Sequence, residues 1–219
     1  MHSQKSSPPI FALGILGAAG ALLIVIADIA YNVFGGDQIG RSLYVSTYFG
    51  VFFFPLWWAG IYVLYQGLKP AGRLWSLYPC LCFAVLVSTV NVFLHSSFPY
   101  YAAIHEVQRS ASDSTLASLQ RLESLVQSYT NPIYTLQSIV EAIMAVWLTI
   151  PIVRGKSLFP RWMALLIPVY PLAVLYLIDV IIPGAFRVIA PYVASGSMCL
   201  IFVLSAIMVQ RRDASTDTE

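Results

Sequence analysis

Charged residues are scarce in this chain of 219 residues, where Asp, Glu, Lys and Arg together make up only 10%. A soluble domain carries about a quarter charged residues and less than half apolar ones. Here the apolar share is 58%. The composition therefore excludes an ordinary soluble protein and indicates an integral membrane protein.

Cysteine and histidine are also rare, with three of each. An odd number of cysteines inside apolar runs argues against a disulfide framework. Only His95 and His105 lie outside the polar amino-terminal tail, whereas a catalytic zinc site normally takes three protein ligands. The sequence also has no nucleotide-binding motif and no basic patch suited to nucleic acid. We therefore expect no metal, no cofactor and no nucleic-acid partner.

Long apolar runs are what the chain has in abundance. A helix needs about 20 apolar residues to cross the hydrocarbon core. Six stretches qualify, and they predict an all-α polytopic bundle over residues 10–210 between short tails at 1–9 and 211–219. The stretches are Ile10–Phe34, Leu43–Gln66, Leu74–His95, Ile133–Val153, Arg161–Ile182 and Val188–Gln210.

The positions of the basic residues predict the orientation, because Lys and Arg favour cytoplasmic loops. With six spans, eight of the twelve basic residues fall on the side that also holds both termini, and four fall on the other. We therefore expect a multi-pass protein with both termini in the cytoplasm. The sequence does not indicate which membrane it occupies.

Three of the apolar runs carry a carboxylic acid, namely Asp28, Glu141 and Asp179. A charged group at the bilayer centre costs about 2.5 to 3.5 kcal/mol on insertion scales, so such residues usually have a function. Alternating helix directions place all three in the non-cytoplasmic half, at a level similar to that of His95. Asp28 and Asp179 could instead sit at the headgroup boundary, and His95 could be an interfacial histidine.

Further polar and aromatic side chains recur at helical spacing near the same level. They predict a cavity inside the bundle, with the acids and His95 as catalytic candidates and the others as substrate-binding candidates. The binding candidates are Tyr31, Asn32, Asn91, His105, Tyr134, Ser138, Tyr176 and Tyr192. In the first helix, Gly14, Gly17, Ala21, Ile24 and Asp28 share one face, and its small residues favour inward packing.

The segment 96–131 is the only sizeable connection between predicted spans. Its second half, Thr115–Tyr129, has leucines at helical spacing and predicts a short amphipathic helix on the membrane surface. Its first half is aromatic and titratable, and it includes His105. Because it follows His95 directly, we expect this loop to form a lid over the polar cluster. Passive packing at the interface is the alternative.

The layout resembles small six-span integral membrane proteins of uncharacterised families. The resemblance rests on the arrangement of spans and on the step Asp28-Ile-Ala-Tyr31 that closes the first helix. It implies a six-span fold and no particular activity.

Three functions are compatible with these features. The first is a metal-independent acid–base enzyme, of isomerase or cyclase type, acting on a lipophilic, isoprenoid- or sterol-like substrate, because acids in apolar surroundings can exchange protons near neutrality. The second is a proton-coupled transporter of small molecules. The third is a non-catalytic binding or assembly protein. The bilayer and a lipophilic small molecule are the expected partners, and a homo-oligomer is possible.

Overall fold

The computed structural model describes residues 9–34 and 39–216, and over these residues the chain is helical with no strand. The described residues form eight α-helices: α1 (Ile10–Phe34), α2 (Ile39–Phe53), α3 (Trp57–Leu68), α4 (Arg73–Val85), α5 (Val92–Gln108), α6 (Asp113–Val153), α7 (Val169–Ile181) and α8 (Ala185–Thr216). Short 3-10 segments at Phe54–Leu56, Lys69–Ala71 and Arg161–Leu166 and a π-helical segment at Leu86–Asn91 connect or interrupt them.

Several of these helices are long and apolar enough to cross a membrane. The described residues contain five such stretches, at Ile10–Ile29, Thr47–Ala71, Arg73–Gln108, Asp113–Val153 and Tyr192–Arg212, together with the shorter apolar helix Val169–Ile181. The all-α membrane bundle predicted from the apolar runs is thus present in outline.

Small residues bring α1, α3 and α8 into close contact. A Cβ atom added at Gly17 would lie 2.5 Å from the Cα atom of Gly60, so the backbones of α1 and α3 touch. One added at Gly60 would lie 2.4 Å from the ring of Phe202 on α8, which is itself fully buried. The prediction that Gly14, Gly17, Ala21 and Ile24 face inward is confirmed, because all four are buried.

The connection between the third and fourth predicted spans was predicted wrongly. Instead of a long loop with a separate surface helix, α5 continues to Gln108 and α6 starts at Asp113 and runs unbroken for 41 residues. Pro132 lies inside α6 and costs a backbone hydrogen bond. Pairing with α5 stabilises the helix at this point, where the hydroxyls of Tyr101 and Thr130 are 2.8 Å apart.

A π-helical segment interrupts the span that carries Asn91 and His95. It covers Leu86–Asn91 and leaves backbone carbonyls without their usual partners. Ser88 donates its hydroxyl to the carbonyl of Ala84 at 2.8 Å, and Thr89 donates to that of Val85. The segment ends at Asn91, one turn before His95, so it sets the direction in which these two side chains face.

Candidate functional site

A cavity of about 780 Å³ lies inside the bundle. All the α-helices of the described chain except α2 contribute to its lining, as do the 3-10 segments that precede α3 and α7. Its volume falls within the range of about 300–1,000 Å³ that is usual for small-molecule sites. The cavity has two parts of different chemistry, a polar end and an apolar arm.

The polar end is formed by acids, amides, an imidazole and hydroxyls from α1, α5, α6, α8 and the π-helical segment. Its described polar members are Asp28, Asn91, His95, Tyr134, Gln137, Ser138, Glu141 and Ser195.

At the centre of the polar end, Gln137 joins two elements. Its amide nitrogen donates to Oδ1 of Asn91, at the end of the π-helical segment, and to Oε1 of Glu141 at 2.7 Å. Gln137 and Glu141 are four residues apart on α6 and therefore share a face. Oε1 of Gln137 is buried and has no hydrogen-bond partner among the described residues. The hydrogen bond from Gln137 fixes the Glu141 carboxyl group in the cavity wall.

Aromatic side chains hold His95 and border the polar end. The ring of Phe54 lies 5.0 Å from the imidazole of His95, edge to face, and 5.1 Å from the ring of Trp57. On its other side His95 packs so closely on Gly50 of α2 that a Cβ atom there would lie 2.3 Å from the ring. Trp57 and Phe83, with ring centroids 6.3 Å apart, continue the aromatic wall toward the apolar arm.

The apolar arm extends from Ala145 along the carboxyl-terminal half of α6. Eleven residues separate Glu141 from Ile152, which corresponds to about 16 Å along the helix. Aliphatic and aromatic side chains line it, namely Leu64, Ala145, Leu148, Ile152, Phe159, Met163, Ile167 and Ile201. At the end of the arm, Phe159 packs directly on Gly67, and the backbone N–H of Leu158 donates to the Gly67 carbonyl at 2.9 Å.

The seam between α6 and α7 differs along its length. Ser138, Ala142 and Thr149 lie along one edge of α6, because they are spaced by four and seven residues. At Thr149 the seam is closed, since its hydroxyl accepts a hydrogen bond from Tyr170 at 2.9 Å. Two and three turns away, Ala142 and Ser138 line the cavity and are also exposed. We infer that the cavity opens here between the two helices, and we call this gap the α6–α7 opening.

Of the four catalytic candidates, three line the cavity and one does not. Asp28, His95 and Glu141 lie in its wall. Asp179 is half-buried on α7 and is not among the described lining residues. The proline-rich start of α7, at Pro168 and Pro171, sets the rotation of that helix, and the sequence pattern alone did not predict it.

The binding candidates divide in the same way. Asn91, Tyr134 and Ser138 line the cavity. Tyr176 is exposed on α7, and the hydroxyl of Tyr192 donates to the backbone carbonyl of Asp28 at 3.4 Å. Neither tyrosine is among the described lining residues. The side chains of Tyr31 and Asn32 lie outside the described part of the chain.

His105 belongs to a helical hairpin beyond the cavity and is not among the described lining residues. Its Nδ1 atom lies 3.2 Å from Oε1 of Gln108. The amide nitrogen of Gln108 donates to Glu123 of α6 at 3.3 Å. These contacts connect α5 to α6. The segment 96–131 is therefore a pair of packed helices rather than the predicted lid-like loop.

Two contributors were missed in the sequence. Gln137 is not among the predicted site residues, although its spacing of four residues from Glu141 on α6 is a signal that identifies it. Trp57 lines the cavity and is 5% exposed. No sequence signal distinguishes it from the neighbouring Trp58. In the described residues, no group of three His, Cys, Asp or Glu side chains is placed to hold a metal ion.

The fold and the cavity define a helical membrane protein with an amphipathic internal chamber. The chain belongs to the family described as "Family of unknown function (DUF6796)", whose profile matches residues 1–212. No curated protein and no solved structure matches the chain.

Proposed function

We propose that this membrane protein binds a lipophilic small molecule in the internal cavity and converts it by acid–base chemistry without a metal. The observation that carries the proposal is the combination of carboxylic acids and a long apolar arm in one chamber of about 780 Å³. A molecule of isoprenoid or sterol type would fill the arm and present a reactive end to the acids. The reaction class that this arrangement supports best is isomerisation or cyclisation.

Glu141 is the proposed proton donor and acceptor, because Gln137 holds its carboxyl group in the cavity wall. Asp28 is the second acid of the same chamber, and His95, which is fixed by Phe54 and Gly50, is placed to pass protons. The rings of Phe54 and Trp57 would stabilise positive charge that develops on the substrate. Asp179 has no role in this scheme.

In the membrane, we place six spans with both termini in the cytoplasm. The fifth span combines α7, about 20 Å long, with the preceding 3-10 segment of about 12 Å. The excess of basic residues on the side that holds both termini supports the orientation. In this arrangement the polar end lies in the non-cytoplasmic half of the bilayer, with the hairpin of α5 and α6 beyond it.

The test is conversion of a bound lipid by the purified protein. Lipids that copurify with it would be identified by mass spectrometry and then supplied to the protein in nanodiscs. Glu141→Gln keeps the shape but removes the ionisable group, and we expect the rate to fall by about 100-fold or more, as for other general acid–base groups. Glu106→Gln changes an exposed acid of α5 and should leave the rate unchanged.

Two results would contradict the enzyme proposal. Conversion at the normal rate by Glu141→Gln would remove Glu141 from the chemistry. Retention of lipid with no conversion by the unmodified protein would indicate a binding or assembly protein instead.

A proton-coupled carrier is the second candidate. It is favoured by the length of the cavity, which runs from the polar end to Phe159 near the opposite end of α6. The π-helical segment and Pro168 lie along its walls, where helix geometry changes most easily. Proton-driven uptake of the copurified molecule into proteoliposomes, with no chemical change in that molecule, would support the carrier over the enzyme.

A further inference from the structure

At the polar end of the cavity, the Gln137 amide directs both of its N–H groups to acceptors, one to Asn91 and one to Glu141. This orientation suits the ionised form of Glu141, because a carboxylate only accepts hydrogen bonds. The two oxygens of a carboxylate can accept several hydrogen bonds, so the one from Gln137 leaves capacity for a donor on a ligand. Glu141 lines the cavity and is therefore placed to accept from such a ligand.

The charges of the lining point to the same kind of ligand. Asp28 and Glu141 line the cavity, and none of its described lining residues is Lys or Arg. An anionic head group would therefore be buried without a Lys or Arg partner among the described residues, which is costly. A cation would meet a carboxylate in a cavity that is also lined by the aromatic rings of Phe54, Trp57 and Phe83.

We propose that the cavity binds single-chain amphiphiles with a protonated amine head. The head lies against Glu141, and the chain fills the apolar arm toward Ile152. An ammonium group supplies three N–H donors and a positive charge to the Glu141 carboxylate, whereas a hydroxyl supplies one donor and no charge. Hydrogen bonds between charged groups are also stronger than neutral ones.

This inference rests on the proposed function, because it assigns the same cavity to a lipophilic ligand. In the proposed reaction Glu141 starts in its protonated form, and its O–H bond breaks. The electron pair of a carbon–carbon double bond in the substrate takes the proton and becomes the new C–H bond. A carboxylate and a carbocation result. The protonated amine carries its charge where that carbocation would form, so it resembles the reacting state, which an enzyme binds more tightly than its substrate.

The test compares three head groups on one chain. Dodecylamine, dodecanol and dodecanoate would be titrated into the full-length protein in nanodiscs, with empty nanodiscs subtracted. We expect the amine to bind at least about tenfold more tightly than the alcohol, in line with the added strength of a charged hydrogen bond, and the carboxylate to bind most weakly. Equal or tighter binding of the alcohol or the carboxylate, or no binding of any of the three, would overturn the inference.

Variants then locate the head group. Glu141→Gln should weaken amine binding about tenfold and leave alcohol binding close to normal, which also shows that the cavity is intact. Gln137→Met removes, at similar size, the amide that holds the Glu141 carboxylate and should weaken the amine selectively, while Glu106→Gln should change nothing. Amine binding that is unaffected by both Glu141→Gln and Gln137→Met would contradict the assignment.

The outcomes separate this inference from the enzyme proposal. Selective amine binding with no conversion of any lipid would keep the inference and remove the enzyme. Conversion of a copurified lipid without amine selectivity would keep the enzyme and remove the inference.

Discussion

Enlarging a side chain at the far end of the apolar arm should shorten the ligands that the cavity accepts. Ile152 is 3% exposed, lines the arm and lies about 16 Å along α6 from Glu141. Ile152→Phe adds three carbon atoms at this position. If they occupy cavity space, a ligand that fills the arm loses room for about three methylene groups.

The magnitude follows from the free energy of burying those groups. At about 0.8 kcal/mol per methylene, three of them correspond to about 2.4 kcal/mol, or about a 60-fold loss of affinity. The loss should affect only chains long enough to reach Ile152. Shorter chains with the same head should bind as they do to the unmodified protein.

The assay is a series of straight-chain amines or alcohols that grow by two carbons at a time, titrated into the protein in nanodiscs. Val153→Phe is the matched control, because Val153 is the next residue of α6 and is 49% exposed on the outside of the bundle. It should leave the whole series unchanged. If Ile152→Phe lowers affinity equally at every chain length, or at none, the chain does not occupy the arm and the reasoning is wrong.

Two further predictions concern packing and access. Gly60→Ala would bring a Cβ atom to 2.4 Å from the ring of Phe202, so we expect a loss of about 1–3 kcal/mol of stability in thermal or denaturant unfolding. Gly196→Ala meets no atom within 4 Å and should be neutral or slightly stabilising, and equal effects of the two would contradict the packing of α1, α3 and α8. Ser138→Trp at the α6–α7 opening should slow ligand association and dissociation together by about tenfold, with the affinity little changed. Ile139→Trp, on the outer face of the same helix, is its control, and unchanged rates in Ser138→Trp would place the access route elsewhere.

The parts of the site that the sequence could predict are those that depend on depth along a helix. Apolar runs set where each helix lies, and alternating directions set the level of each polar residue. That is why Asp28, His95 and Glu141, selected from the sequence, line one cavity. The inward face of α1 was predictable for a similar reason, because small residues recur along it at helical spacing.

The parts that could not be predicted depend on rotation about a helix axis and on contacts between distant segments. A π-helical turn shifts the face of every later residue, and nothing in the periodicity of Leu86–Asn91 indicates one. The side of α7 on which Asp179 lies depends on where the helix begins after Pro168. The bridge from Gln137 to Asn91 joins residues 46 positions apart and needs the tertiary structure.

The structure divides the bundle into a tightly packed half and an open half. In the first, α1, α3 and α8 meet at Gly17, Gly60 and Phe202, where an added Cβ atom would clash. In the second, α6 and α7 are joined at Thr149 and Tyr170, and the seam opens beyond that point. A lipophilic ligand arriving from the bilayer would therefore meet the polar end through the open side, and the rigid side would keep the opposite cavity wall in place. The two halves thus have different tolerance to change: substitutions among α1, α3 and α8 should act mainly on stability, and substitutions along the α6–α7 opening mainly on the rates of ligand exchange.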